Sequence, residues 1–94
     1  MRVAWLARAT ANLLRHADYI ARDNPQAAEK MMQAVHRSVL RLVDFPHSGR
    51  PGRSPGTREL VVPGTPFILP YRVEPDRVVI LRVMHGRQRW PHLV

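Results

Sequence analysis

One change of composition, at residue 45, constrains this chain more than any other feature. Eight of its nine prolines and all five glycines fall between residues 46 and 91. Proline lacks the amide donor that a helix needs, and glycine is the costliest residue to order, so long helices are confined to the first half. The second half is punctuated often enough to hold only short strands and turns. With 94 residues there is room for one core and one domain, spanning 1–94.

In the first half, Leu13, Leu14, Ala17, Ile20 and Ala21 recur at three- and four-residue spacing, which predicts a helix from Ala7 to about Arg22. Asp23-Asn24-Pro25 stops it and starts another, because Asn24 suits an N-cap and Pro25 the first helical position. Ala28, Met31, Met32, Val35, Val39 and Leu42 then mark one face of a helix from Pro25 to about Val43. So short a connection makes the pair an antiparallel hairpin.

After the helices, residues 45–57 read as an irregular loop too rich in proline and glycine for helix or strand. Strands are expected at Arg58–Val62, Phe67–Val73 and Val78–Met84, separated by Pro63-Gly64-Thr65-Pro66 and Glu74-Pro75-Asp76-Arg77. Turns this short pair neighbouring strands antiparallel. Pro70 removes a ladder donor from the middle strand, so a bulge or an edge contact is expected there. Val3–Leu6 supplies a strand at the start. The expected order is β-α-α-β-β-β: an α+β domain with a helical hairpin on a small, mostly antiparallel sheet.

Charge narrows the function. Fifteen basic side chains against seven acidic ones give a net charge of +8, and fourteen of the fifteen are arginine. Guanidinium groups present several donors at fixed angles, which suits phosphates and carboxylates, so nucleic acid or an acidic protein segment is the expected kind of partner. No apolar run reaches the ~18–20 residues of a membrane helix, and the N-terminus lacks the form of a signal peptide. Cysteine is absent, which removes disulfides and thiolate chemistry and fits a cytoplasmic protein.

Candidates for chemistry are few. The five histidines show no tight ligand spacing, and neither a metal nor a cofactor is expected. His85 is the histidine best placed to act, at a strand end before a basic tail. Alternation sets it beside Val79, Leu81 and Val83, which also fits a hydrogen-bonded histidine at the edge of the core. Glu59 reads as a solvated strand residue rather than a general base. Gly49-Arg50-Pro51-Gly52-Arg53 could cradle a phosphate or form a solvated loop. Arg58, Arg72, Arg87 and Arg89, with Trp90, fit a nucleic-acid surface equally as well as a soluble sheet edge.

The string Phe45-Pro46-His47-Ser48-Gly49-Arg50-Pro51-Gly52, followed by Gly56-Thr57-Arg58-Glu59-Leu60, resembles the helix-to-strand passage of ParE/RelE toxins. Pro66-Phe67-Ile68-Leu69-Pro70-Tyr71-Arg72-Val73 and Val79 through His85-Gly86-Arg87-Gln88-Arg89-Trp90-Pro91 are similar too, as are Ala7-Arg8-Ala9 and Asn24-Pro25-Gln26-Ala27-Ala28. The resemblance implies the toxin of a type II toxin–antitoxin system, bound by a cognate antitoxin through an acidic and apolar C-terminal segment. Its target would be DNA gyrase in the ParE-like branch, or mRNA on the ribosome in the RelE-like branch. A third possibility is a nontoxic antitoxin-binding module. For a nuclease the resemblance assigns Arg58, His85 and Arg87, but the arginine expected on the middle strand is Ile68, and no tyrosine follows Tyr71. That departure favours a non-enzymatic gyrase poison, with Arg87, Arg89 and Trp90 as the target-binding residues.

Overall fold

The computed structural model describes residues 1–87. Strand β1 (Arg2–Trp5) leads into helices α1 (Ala7–Ala21) and α2 (Pro25–Asp44). Strands β2 (Arg50–Pro51), β3 (Arg58–Val61), β4 (Phe67–Val73), β5 (Arg77–Ile80) and β6 (Met84–His85) follow. The sheet runs β1-β5-β4-β3-β2, with β6 also on β4. All its pairings are antiparallel except β1 with β5, where Arg2–Trp5 align in parallel with Arg77–Ile80. The α+β class and the helical hairpin expected from the sequence are present.

Both helix starts follow from local chemistry. The Asn24 side chain accepts from the Ala27 N–H at 3.0 Å, and Pro25 takes a first-turn position where its missing N–H leaves nothing unpaired. Leu6 begins α1 without a side-chain cap, and its carbonyl accepts from Ala9 and Thr10. The core lies between the helices and one sheet face: Met31, Val35, Val39 and Leu42 of α2 meet Phe67, Leu69, Tyr71, Val78 and Ile80. Five of the six α2 residues expected on the apolar face are buried, and Met32 is half-buried. On α1 the expected stripe is less accurate. Leu14 is 51% exposed, and the buried polar residue Asn12 takes part instead.

Two turns share one solution. Pro63-Gly64 and Pro55-Gly56 each place proline second and a positive-φ glycine third (φ +76° and +77°), as a type II turn requires.

The expected strand Val78–Met84 is broken. Pairing runs Val73–Val78, Arg72–Val79 and Tyr71–Ile80, then resumes at Ile68–Met84 and Phe67–His85 with one extra residue on the later strand. This is a β-bulge at Leu81–Val83, opposite Pro70. The Pro70 carbonyl accepts from the Leu81 N–H at 2.9 Å, so Pro70's absent N–H would have faced that same strand. The ladder loses its donor there, and the chain buckles.

A second correction concerns the loop. Arg50–Pro51 form a two-residue edge strand on Glu59 and Arg58, a position where proline's missing donor can face outward.

Candidate functional site

The loop 45–57 is held on the sheet by three side chains. Tyr71, fully buried on β4, accepts a hydrogen bond from the Gly49 N–H at 2.8 Å and donates one to the Pro46 carbonyl at 2.9 Å. Burial is the main influence on its hydroxyl and pushes its pKa up, so the phenol keeps its proton. A Cβ at Gly49 would lie 2.5 Å from the Tyr71 oxygen and 2.8 Å from the Glu59 carbonyl, which is why this position has no side chain. Arg58 uses one guanidinium nitrogen, Nη1, on the carbonyls of Gly49 (2.8 Å) and His47 (3.2 Å).

Glu59 is the third anchor, and it is not solvated. It is 3% exposed; its Oε1 accepts from Arg50, and its Oε2 from the Arg53 backbone N–H at 2.9 Å. A lone glutamate in a short strand reads as solvated; the loop folding back over Glu59 lay beyond any local pattern. Arg50 and Arg53 both pair with this carboxylate, so the loop's cations serve its own fold.

At the other end of β4, three rings pack together. His16 of α1 lies 4.8 Å from Phe67, and Phe67 meets His85 edge-on at 5.7 Å. His16 Nε2 donates to the Val83 carbonyl at 3.0 Å, and Asn12 Oδ1 accepts from the Val83 N–H at 3.3 Å. Two α1 side chains thus satisfy the backbone groups that the bulge removed from the ladder. Burial, more than any other influence, lowers the His16 pKa. The bulge also reverses alternation: Val83 belongs with the helix-side core and His85 pairs with Phe67, whereas Val79 and Leu81 form a separate cluster. His85 therefore does not share a face with Val79 and Leu81.

These positions separate the proposed nuclease residues. Arg58 pairs with Tyr71 and His85 with Phe67, four residues apart along β4, or about 13 Å at ~3.3 Å per residue. Arg87 is exposed next to His85, and its backbone N–H donates to His85 Nδ1 at 3.2 Å. Arg89 and Trp90 lie outside the described residues. Arg72 pairs with Glu74, which also binds Arg77. Ile68, where a nuclease would carry a cation, is buried on β4. Among the described residues, no group of three or more His, Asp or Glu side chains could hold a metal ion. No helix there is long and apolar enough to cross a membrane.

One surface went unnoticed in the sequence. A groove of about 440 Å³ runs between α2 and the β3–β4 turn, lined by Ile20, Met31, Ala34, Phe67 and Pro63–Pro66, with Lys30 and Arg37 among its walls. A hollow of about 210 Å³ shares Ala34, Arg37 and Pro63 with it and reaches Arg41. The i, i+7 and i, i+4 spacing of Lys30, Arg37 and Arg41 was the available signal.

The model of the ParE toxin of the parDE type II toxin–antitoxin system matches residues 3–90. A Sinorhizobium fredii protein named as a candidate toxin, Y4kP, is 43% identical over 93 residues, covering 99% of this chain and 96% of that protein. Toxin RelE2 of Caulobacter vibrioides is 32% identical, covering 89% and 93%. A solved structure of the chromosomal ParDE system from P. aeruginosa superposes with a TM-score of 0.81 at 32% identity, over 90% of this chain and 95% of that one. With its helical hairpin, its sheet and almost its whole length matched, the chain belongs to the ParE toxin family of type II toxin–antitoxin systems.

Proposed function

We propose that this protein is a DNA gyrase poison, held inactive by a cognate antitoxin. The observation that carries the reading is the dispersal of the nuclease residues. Arg58 is engaged by the His47 and Gly49 carbonyls, and His85 lies about 13 Å away along β4. A scissile phosphate needs a general base and charge stabilisation converging on one point. Buried Ile68 offers neither. Binding without chemistry is the function that such a surface supports. By sequence position, Arg87, Arg89 and Trp90 are the residues proposed to touch the target.

The groove along α2 supports the antitoxin half of the reading. Its apolar lining and its cations, Lys30, Arg37 and Arg41, complement a segment carrying large apolar side chains and carboxylates.

The test is a supercoiling assay on antitoxin-free protein with purified gyrase and plasmid. Lost supercoiling together with accumulated cleaved plasmid is expected, and Arg58→Ala should change it little. Folded protein that leaves gyrase untouched but cleaves ribosome-bound mRNA, and loses that cleavage with Arg58→Ala, would replace this reading with the interferase one.

A further inference from the structure

The five ion pairs among the described residues use Arg2, Arg50, Arg53, Arg72 and Arg77. The basic residues of the helices make none of them, and neither does Arg82 in the bulge. Arg82 immediately precedes Val83, whose backbone is fixed to α1 by Asn12 and His16. Asn12 lies between Arg8 and Arg15 on one stripe of α1, at i, i+4 and i+7, so fixing Val83 to Asn12 sets Arg82 beside that stripe, where both charges oppose its own. Arg8 and Arg15 are seven residues apart, so they share one face of the helix at about 10.5 Å spacing. Arg82 Nε is buried with no hydrogen-bond partner. Asp18, one turn beyond Arg15, makes no ion pair there among the described residues.

Three like charges and an unpartnered buried donor weaken a fold. An arrangement of this kind is compensated when an anion binds. We propose that Arg8, Arg15 and Arg82 form a site for the phosphodiester backbone of nucleic acid. The surface favours this ligand over an acidic peptide. A peptide segment draws affinity from apolar burial, and the apolar groove along α2 includes none of the three arginines. Phosphates need only accessible charge, and Arg8 and Arg15 are exposed. Arg22 repeats the seven-residue step, and Tyr19, 72% exposed, lies between it and Arg15, extending the stripe along α1.

The test is fluorescence anisotropy of a labelled 20-base-pair duplex with the full chain, repeated over a range of salt concentrations. No gyrase is present, so the outcome is independent of the gyrase reading. Each lost phosphate contact lowers the slope of log affinity against log salt by about 0.9 on duplex DNA. R8Q/R15Q should bind more weakly with a slope shallower by about 1.8. R37Q/R41Q, which removes the same charge from the groove side, should leave the slope nearly unchanged. Equal loss in both double variants, or none in R8Q/R15Q, overturns the site. R82M should melt no lower than the parent yet bind DNA more weakly; an earlier melt with unchanged binding would remove Arg82 from it. A single-stranded RNA of equal length tells whether DNA or RNA supplies the phosphates.

Discussion

Replacing Tyr71 by phenylalanine removes one oxygen and tests how the loop 45–57 is fastened. The aromatic ring keeps its volume, so no cavity forms. Two backbone groups lose their partner: the Gly49 N–H at 2.8 Å and the Pro46 carbonyl at 2.9 Å. A buried donor left unpaired costs about 1–3 kcal/mol, while the Pro46 carbonyl, only partly buried, recovers some of its loss from water. The expected destabilisation is about 2–3 kcal/mol, against a total of roughly 5–15 kcal/mol for a domain. At about 4–8 °C per kcal/mol, the melting temperature should fall by roughly 8–24 °C. Urea unfolding followed by circular dichroism measures the change directly, provided the m-value is unaltered. Arg58 holds the carbonyl of the same Gly49, so Y71F combined with R58M should fall short of additivity by about 0.5 kcal/mol or more. A loss below about 0.5 kcal/mol for Y71F alone would refute the reasoning, because the loop would then be fastened without the hydroxyl.

Leu42→Ala empties a fully buried position between α2 and the sheet and should cost about 2–5 kcal/mol by chemical denaturation. Glu59→Gln keeps the shape but removes the charge shared by Arg50 and Arg53; trypsin should then cut more quickly after Arg53, while the overall melt shifts less than with Y71F. Burial holds the His16 pKa down, so the unfolded chain takes up its proton first as pH falls. The associated stability is present above about pH 6.5 and is lost as pH drops through 6.5 toward the lower folded value. Melting curves between pH 7.5 and about 5 should show this decline, and His16→Gln should flatten it.

The parts of this fold that could be read from sequence are those fixed by local chemistry. Asn24-Pro25 announced the start of α2, and Pro63-Gly64 announced the turn between β3 and β4. Pro70 signalled a disturbance but not its position: the missing donor acts across the ladder, so the bulge formed in the partner strand at Leu81–Val83. One inserted residue then invalidated the facing inferred for His85. Asn12 went unmarked and Glu59 was misjudged for the opposite reason. Each is a polar side chain on an element of ordinary pattern, buried because a distant backbone segment needs its hydrogen bonds. The basic groove was hidden because α2 contributes only one wall and the β3–β4 turn, more than 20 residues later, closes it.

The parallel pairing of β1 with β5 sets an order of events during synthesis. Arg2–Trp5 leave the ribosome first, yet their partners, Arg77–Ile80, are made 75 residues later. At roughly 5–20 residues per second, the first strand waits about 4–15 seconds for its place in the sheet. The helical hairpin has no such delay, since its contacts are local and close quickly. An unfinished chain therefore carries α1 and α2 with their apolar faces uncovered, and chaperones can recognise it in that state. The groove walled by the β3–β4 turn does not exist until that turn is made, so a partner that grips it can capture only a chain extended past Phe67.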